Sequence, residues 1–178
     1  VYTMVVKVHS QAVNVEDLKK RYGAELKNLV DVPFSMINYA YMQARNESAY
    51  IDGMEDERME AAKKKVQSEI ETLRYAQSNY FWINDTSPKM ILHPTVPHLN
   101  GQDISRFTKN GKVITAEGTD TPMFVEMARK CKEAGEGYVS YLWPSLDDNN
   151  KWVRKLSYVR YFKPWNWIIV TGVYTDEA

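Results

Sequence analysis

Trp152-Val153-Arg154-Lys155-Leu156-Ser157-Tyr158-Val159-Arg160-Tyr161-Phe162 is the stretch on which the architecture turns. Its β-branched and aromatic residues alternate along the chain, so it reads as one long strand with two distinct faces. The polar turn Ser145–Asn150 separates it from Gly137–Trp143, which also alternates and stops at Pro144. Beyond it, Pro164-Trp165-Asn166 turns the chain back into Trp167–Thr175. Upstream, Tyr80-Phe81-Trp82-Ile83 and Lys89-Met90-Ile91-Leu92-His93 flank the turn Asp85-Thr86-Ser87-Pro88 and predict a hairpin. Five short strands joined this way make an antiparallel sheet.

In front of these strands the period changes to that of a helix. Val15, Leu18, Tyr22, Leu26 and Leu29 step by three or four residues and form an apolar stripe. Pro33 removes the donor for the Leu29 carbonyl, so a kink is expected there before the stripe resumes through Ile37, Tyr41 and Ala44. After a break near Asn46–Gly53, a second helix is expected from about Glu55 to Gln77. Between the strands, Pro94 and Pro97 open an irregular stretch to about Thr119. Thr121 as N-cap and Pro122 as first helical residue then start a helix that Gly135 ends. The fold class is therefore α+β, with an antiparallel sheet behind a long kinked helix.

At 178 residues, 44% of them hydrophobic, the chain can bury a core as one domain, 1–178, with a helical front at about 13–77 and a sheet-forming rear at about 79–175. Its 23 basic and 23 acidic side chains cancel, which leaves no broad field for nucleic acid or an anionic bilayer. Lys63-Lys64-Lys65 is flanked by Glu55, Asp56, Glu57, Glu60, Glu69 and Glu71 and reads as a solvated helix face. No apolar run is long enough to span a membrane, and Val1–Val8 lacks the pattern of a signal peptide. The start at Val1 and the end just after an apolar strand lead us to expect a piece of a longer protein.

Catalytic templates are absent: there is no P-loop, no G-x-G-x-x-G, no G-x-S-x-G and no H-E-x-x-H. His9, His93 and His98 are the only imidazoles, and Cys131 shares an apolar helical stripe with Phe124 and Ala128 that suits core packing. No cofactor or metal is expected, and a hydrolase or lyase built on His93 lacks a readable nucleophile–base pair. A binding cavity is easier to argue. Val139, Tyr141 and Trp143 share one strand face, and Lys155 shares another with Val153, Ser157, Val159 and Tyr161. An ammonium on a core-facing position needs an anion, supplied by an internal carboxylate or a bound one. Periodicity equally allows Lys155 to face solvent, with Arg154 and Arg160 turned inward. His93 reads either as a satisfied structural histidine or as a ligand contact, and the nearby aromatics as core or as cavity wall.

Six segments in series carry a resemblance. They are Tyr80-Phe81-Trp82-Ile83-Asn84-Asp85, Met90-Ile91-Leu92-His93-Pro94, Leu99-Asn100-Gly101-Gln102-Asp103, Gly135 to Pro144, Lys155 to Phe162, and Trp165 to Tyr174. The series resembles the type-2 single Cache domain of bacterial chemoreceptors and sensor histidine kinases. That resemblance implies a PAS-like five-stranded antiparallel sheet with a long helix packed along it. It also implies an extracytoplasmic, periplasmic sensor of an inner-membrane receptor, held by flanking transmembrane helices that this chain does not include. The ligand implied is a small organic acid such as acetate, propionate, lactate or pyruvate. Carried onto this sequence, the site comprises Tyr80, Trp82, His93, Tyr141, Trp143 and Lys155. Lys155 and His93 are expected to hold the carboxylate, Tyr141 to donate a phenolic hydrogen bond, and the aromatics to set the size. A homodimer through the N-terminal helix is the expected assembly. A histidine-kinase output, or a dimerisation module without a ligand, are the alternatives.

Overall fold

The computed structural model describes residues 14–48, 53–145, 148 and 150–175. His9 lies outside them. Helix α1 (Val15–Ser48) and helix α2 (Glu55–Thr72) precede strands β1 (Trp82–Asp85) and β2 (Met90–Leu92). A 3₁₀ turn at Pro97–Leu99 and a small hairpin of β3 (Thr108–Lys109) and β4 (Lys112–Val113) follow. Helix α3 (Met123–Ala134) then leads into β5 (Glu136–Pro144), β6 (Trp152–Phe162) and β7 (Trp167–Tyr174). The five-stranded sheet has the order β2-β1-β7-β6-β5, and every neighbouring pair is antiparallel. The expected fold class is the one observed.

Both faces of the sheet are covered. On one side Leu18, Leu26, Val30 and Ile37 of α1, with Val66 and Ile70 of α2, pack on Ile83, Leu156, Tyr158, Phe162 and Ile169. On the other side Met123, Phe124, Met127, Ala128 and Cys131 of α3, with Ile104 and Ile114 from the long connection, pack on Trp82, Val139, Tyr141, Val159, Ile168 and Val170. This explains why β6 carries little polar–apolar contrast: neither face is wet. Lys155 is buried on the α3 side. Arg154 and Arg160 alternate to the opposite face, where Arg154 pairs with Glu117 and Arg160 with Asp31 of α1. The choice between a core-facing and a solvent-facing Lys155 is thus replaced by two interior faces, one of which supplies acids to its cations.

Several boundaries differ from expectation, each for a local reason. Helix α1 continues through Pro33, which is buried. Helix α2 stops at Thr72 rather than near Gln77, because Leu73 turns extended and a tight turn closes between Tyr75 and Asn79. There the Tyr75 ring leaves the helix to meet Phe81, and its hydroxyl lies 2.7 Å from that of Thr171 on β7. Pro122 takes the cap position of α3, so the helix begins at Met123; Gly135 ends it at φ 77° as its sequence position suggested. The stretch expected to be irregular contains the β3–β4 hairpin, turned at Asn110-Gly111 with both residues at positive φ.

Gly172 on β7 pairs with Ser157 on β6 and faces α3. A Cβ there would collide with Ser157 Oγ and lie 2.7 Å from the Leu156 carbonyl and 3.2 Å from Lys155 Cε. The bare backbone lets the Lys155 chain cross β7. Replacing Gly172 by Ala is expected to cost about 1–3 kcal/mol of unfolding free energy in urea titration. An unchanged midpoint would show that the crossing has slack.

Candidate functional site

The strand order determines which side chains meet. Lys155 sits on β6 directly opposite Tyr141 of β5 on one side and Tyr174 of β7 on the other. Across Gly172 its amine reaches the rings that β1 and its lead-in present. Nζ lies 5.2 Å from the Tyr80 ring centroid, 5.2 Å from that of Trp82 and 5.1 Å from that of Tyr174. His93, at the end of β2, stacks on Trp82 at 5.9 Å and meets Tyr80 at 5.3 Å. Trp143 of β5 meets Tyr141 edge-on at 6.1 Å. Tyr80, Trp82, His93, Tyr141, Trp143 and Lys155 therefore line one cavity, closed by Met123 and Phe124 from the start of α3. All six residues picked from the sequence converge.

The electrostatics of this cage are one-sided. Lys155 is 5% exposed, and among the described residues no carboxylate lies within 4.0 Å of its amine. Burial lowers its pKa, opposed by the Tyr80 hydroxyl. Three aromatic faces return about 0.5–2 kcal/mol each for a desolvated cation. Removing an ion from water costs several kcal/mol. Burial outweighs the Tyr80 hydroxyl in the direction of the shift.

His93 adds a second donor. Its Nδ1 accepts the Val96 backbone N–H at 3.1 Å, so that nitrogen is unprotonated and the proton of the neutral ring sits on Nε2. The Asn100 side chain fixes the strand end by accepting the His93 backbone N–H at 2.8 Å. Burial, then the Lys155 charge, pushes the imidazole pKa down to about 3. A third donor is the Trp82 indole: its Nε1–H is buried and has no hydrogen-bond partner among the described residues. An unmet buried donor of this kind costs about 1–3 kcal/mol. The Tyr141 hydroxyl is 2.9 Å from Ser157 Oγ, and because a hydroxyl both donates and accepts, it keeps one hydrogen-bonding role in reserve. An ammonium, an imidazole N–H and an indole N–H that has no partner among the described residues thus line one cavity. A carboxylate, which only accepts, is their complement.

The cavity is tight, with about 10 Å³ of free space, room for roughly one water molecule. A larger groove of about 570 Å³ runs between α1 and α2, past Met36, Tyr39, Ala40, Ala62 and Lys65. Its Lys65 and Glu69 face water, whereas the small cage gathers buried polar groups, which makes the cage the functional candidate. Sequence reading missed Tyr174, Met123, Phe124 and Gly172 as parts of it. Gly172, inside a strand pattern, was itself a signal of close backbone approach. Tyr174 requires the β6–β7 register, which periodicity does not supply.

The buried imidazole makes acid sensitivity testable. Folded, His93 stays neutral down to about pH 3, whereas unfolded it titrates near its ordinary 6.5. Between those values the unfolded chain binds the extra proton, so stability falls as pH drops, by up to about 1.4 kcal/mol per pH unit. Urea titrations of His93→Gln between pH 6.5 and 4 are expected to show a shallower loss than the unsubstituted protein. Parallel slopes would mean that the folded ring is already charged.

Known proteins share this framework. The family model for the Cache domain matches residues 47–178. The chain is 38% identical over 133 residues to the methyl-accepting chemotaxis protein McpP of Pseudomonas putida, covering 73% of this chain and 23% of that protein. It is 28% identical over 164 residues to the sensor histidine kinase MctS of Rhizobium johnstonii, covering 92% of this chain and 31% of the kinase. The chain thus spans about a quarter to a third of the length of these curated relatives. Among solved structures, a Cache chemosensory domain described for its carboxylic acid recognition superposes with a TM-score of 0.71 at 35% identity, over 92% of this chain and 99% of that one. The periplasmic sensor domain of a chemotaxis protein superposes with a TM-score of 0.69 at 32% identity, over 89% of this chain and 98% of that one. A long helix laid along a five-stranded antiparallel sheet, with most of the sequence matched, shows that the chain belongs to the Cache domain family.

Proposed function

We propose that this chain is the periplasmic ligand-binding domain of a transmembrane chemoreceptor, that its ligand is a small monocarboxylate, and that binding rather than turnover is its task. The observation that carries the reading is the buried Lys155 amine, with no carboxylate within 4.0 Å among the described residues, beside a Trp82 N–H that also lacks a partner there. The carboxylate takes the Lys155 ammonium and the Trp82 and His93 N–H groups, with Tyr141 adding its hydroxyl. The rings of Tyr80 and Trp143 bound the rest. Acetate, propionate, lactate and pyruvate fit this pattern of one anionic end and a short body. Support also comes from the solved Cache domain that recognises carboxylic acids, and from the greater identity to the chemotaxis protein than to the kinase.

A ligand shifts a receptor only by the difference in its affinity for two states. Here β6 touches the ligand cage on one face and α1 on the other. Tyr158 donates to Glu136, whose carboxylate meets Lys27 of α1 at 3.0 Å, and Arg160 pairs with Asp31. Charge neutralised at Lys155 therefore reaches α1 through one strand, on the scale of the about 1–2 Å helix shifts used in such switching.

Thermal unfolding with two- to four-carbon acids tests the reading. Saturation at 100 times Kd is expected to add about 2.7 kcal/mol. Lys155→Met is expected to abolish that gain while raising the stability of the free protein by about 1–3 kcal/mol, since a stranded charge is replaced by an apolar chain of similar length. No stabilisation by any of these acids at millimolar concentration would overturn the proposal.

Homodimerisation through α1 is part of the same proposal. Val32, Tyr39 and Met42 recur on one side of that helix and are 52%, 66% and 44% exposed. Sedimentation is expected to show concentration-dependent association that Tyr39→Glu weakens. A monomer at all concentrations would remove the dimer from the scheme.

A further inference from the structure

The cage that the preceding reading assigns to a carboxylate has too little free space for even acetate, so some side chain of its wall must move to admit any acid. Seven of its eight lining side chains are tied. His93 stacks on Trp82, Tyr80 meets both rings at a tilt, and the Lys155 amine lies against Tyr80 and Trp82. Tyr141 is held by Ser157 and by the edge of Trp143. Trp143 stacks on Phe107 at 5.6 Å, and Phe107 meets Phe124 edge-on at 5.8 Å. Each ring in this train is locked by the next. Met123, the eighth, is the one unbranched apolar side chain among them, packed in the same core as Trp82, Phe124 and Tyr141.

The Met123 backbone is nonetheless fixed. Its N–H donates to the Ile114 carbonyl at 2.9 Å, and Pro122 before it occupies the helix cap. The main chain stays while the side chain, unbranched and with three rotatable bonds, changes shape at low cost. It is 1% exposed, so it cannot leave the cage for solvent and must refold within the core. The polar donors come from the strands and Met123 comes from α3, on the facing wall. An acid held by its carboxylate at Lys155 thus directs its alkyl end away from the strands.

From this arrangement we propose that Met123 is the specificity-determining residue of the site: its side chain yields to the alkyl end of the acid and sets the longest chain admitted. The proposal rests on the carboxylate reading of the same cage. The extent of displacement available to one thioether, and not the donor cluster, fixes the size limit.

Titration calorimetry with the straight-chain acids acetate, propionate, butyrate and valerate tests it, comparing the unsubstituted protein with Met123→Ala and the milder Met123→Val. The expected result is a rise of about tenfold or more in the affinity ratio of butyrate to acetate, the effect of relieving one methylene of crowding. Loss of packing alone lowers all affinities together and leaves that ratio unchanged. Spectra of methyl-labelled methionine in the unsubstituted protein give a readout independent of whether the variants fold. The Met123 methyl signal is expected to move on adding acetate and further with propionate. An unchanged ratio in folded variants, or a Met123 methyl that ignores a bound acid, overturns the role of Met123 and leaves the carboxylate reading intact. Failure of the unsubstituted protein to bind any of the four acids overturns both.

Discussion

The ammonium group of Lys155 sits inside the protein among aromatic rings, with no carboxylate within 4.0 Å among the described residues. Every other feature of the site follows from that constraint. The bare backbone of Gly172 lets the lysine chain cross β7, and the rings of Tyr80, Trp82 and Tyr174, with the Tyr80 hydroxyl, compensate the amine from within. A core designed for stability alone would place an apolar chain at this position. Retaining the charge makes sense when an anion from outside completes the interaction, and the unmet Trp82 N–H beside it points the same way.

The second organising feature is a sheet with no solvent face. One side belongs to α3 and the cage around Lys155, the other to α1. The two faces of β6 therefore report to different partners: Lys155 to the cage, Arg160 to Asp31 of α1, and Tyr158 through Glu136 to Lys27 of α1. Tyr138 of β5 adds a bond to the Gly23 carbonyl at 2.8 Å. Gly23, Lys27 and Asp31 are spaced four apart, so the polar ties fall on one stripe of the helix. A strand two residues wide in chemistry links the two sides without any long pathway.

The limits of reading the sequence follow from the same geometry. Strand spans were legible because Pro144, the polar sequence between β5 and β6 and the turn before Trp167 punctuate β5, β6 and β7. Polarity and the resemblance together selected six side chains that do meet. The orientation of Lys155 was not legible, because a strand buried on both sides has no wet face to calibrate its alternation. The early end of α2 was hidden as well: Tyr75 is pulled from helical spacing by Phe81 and Thr171, partners distant or differently structured in the chain. The β3–β4 hairpin was legible in principle, since Asn110-Gly111 is a strong turn signal, but flanking strands of two residues leave no alternation to read.

By itself the sequence determined the alternation, the breaks and the residue types: an α+β chain with a cation placed among strand aromatics. Those are local properties, written by spacing and by turn chemistry. Tertiary structure alone decided that Lys155 faces α3, that Tyr174 lies beside it, that Met123 closes the cavity and that the two arginines of β6 find acids on the other side. The physical reason is that burial and pairing depend on register and on which helix covers which face, and both arise from contacts between segments far apart in the chain.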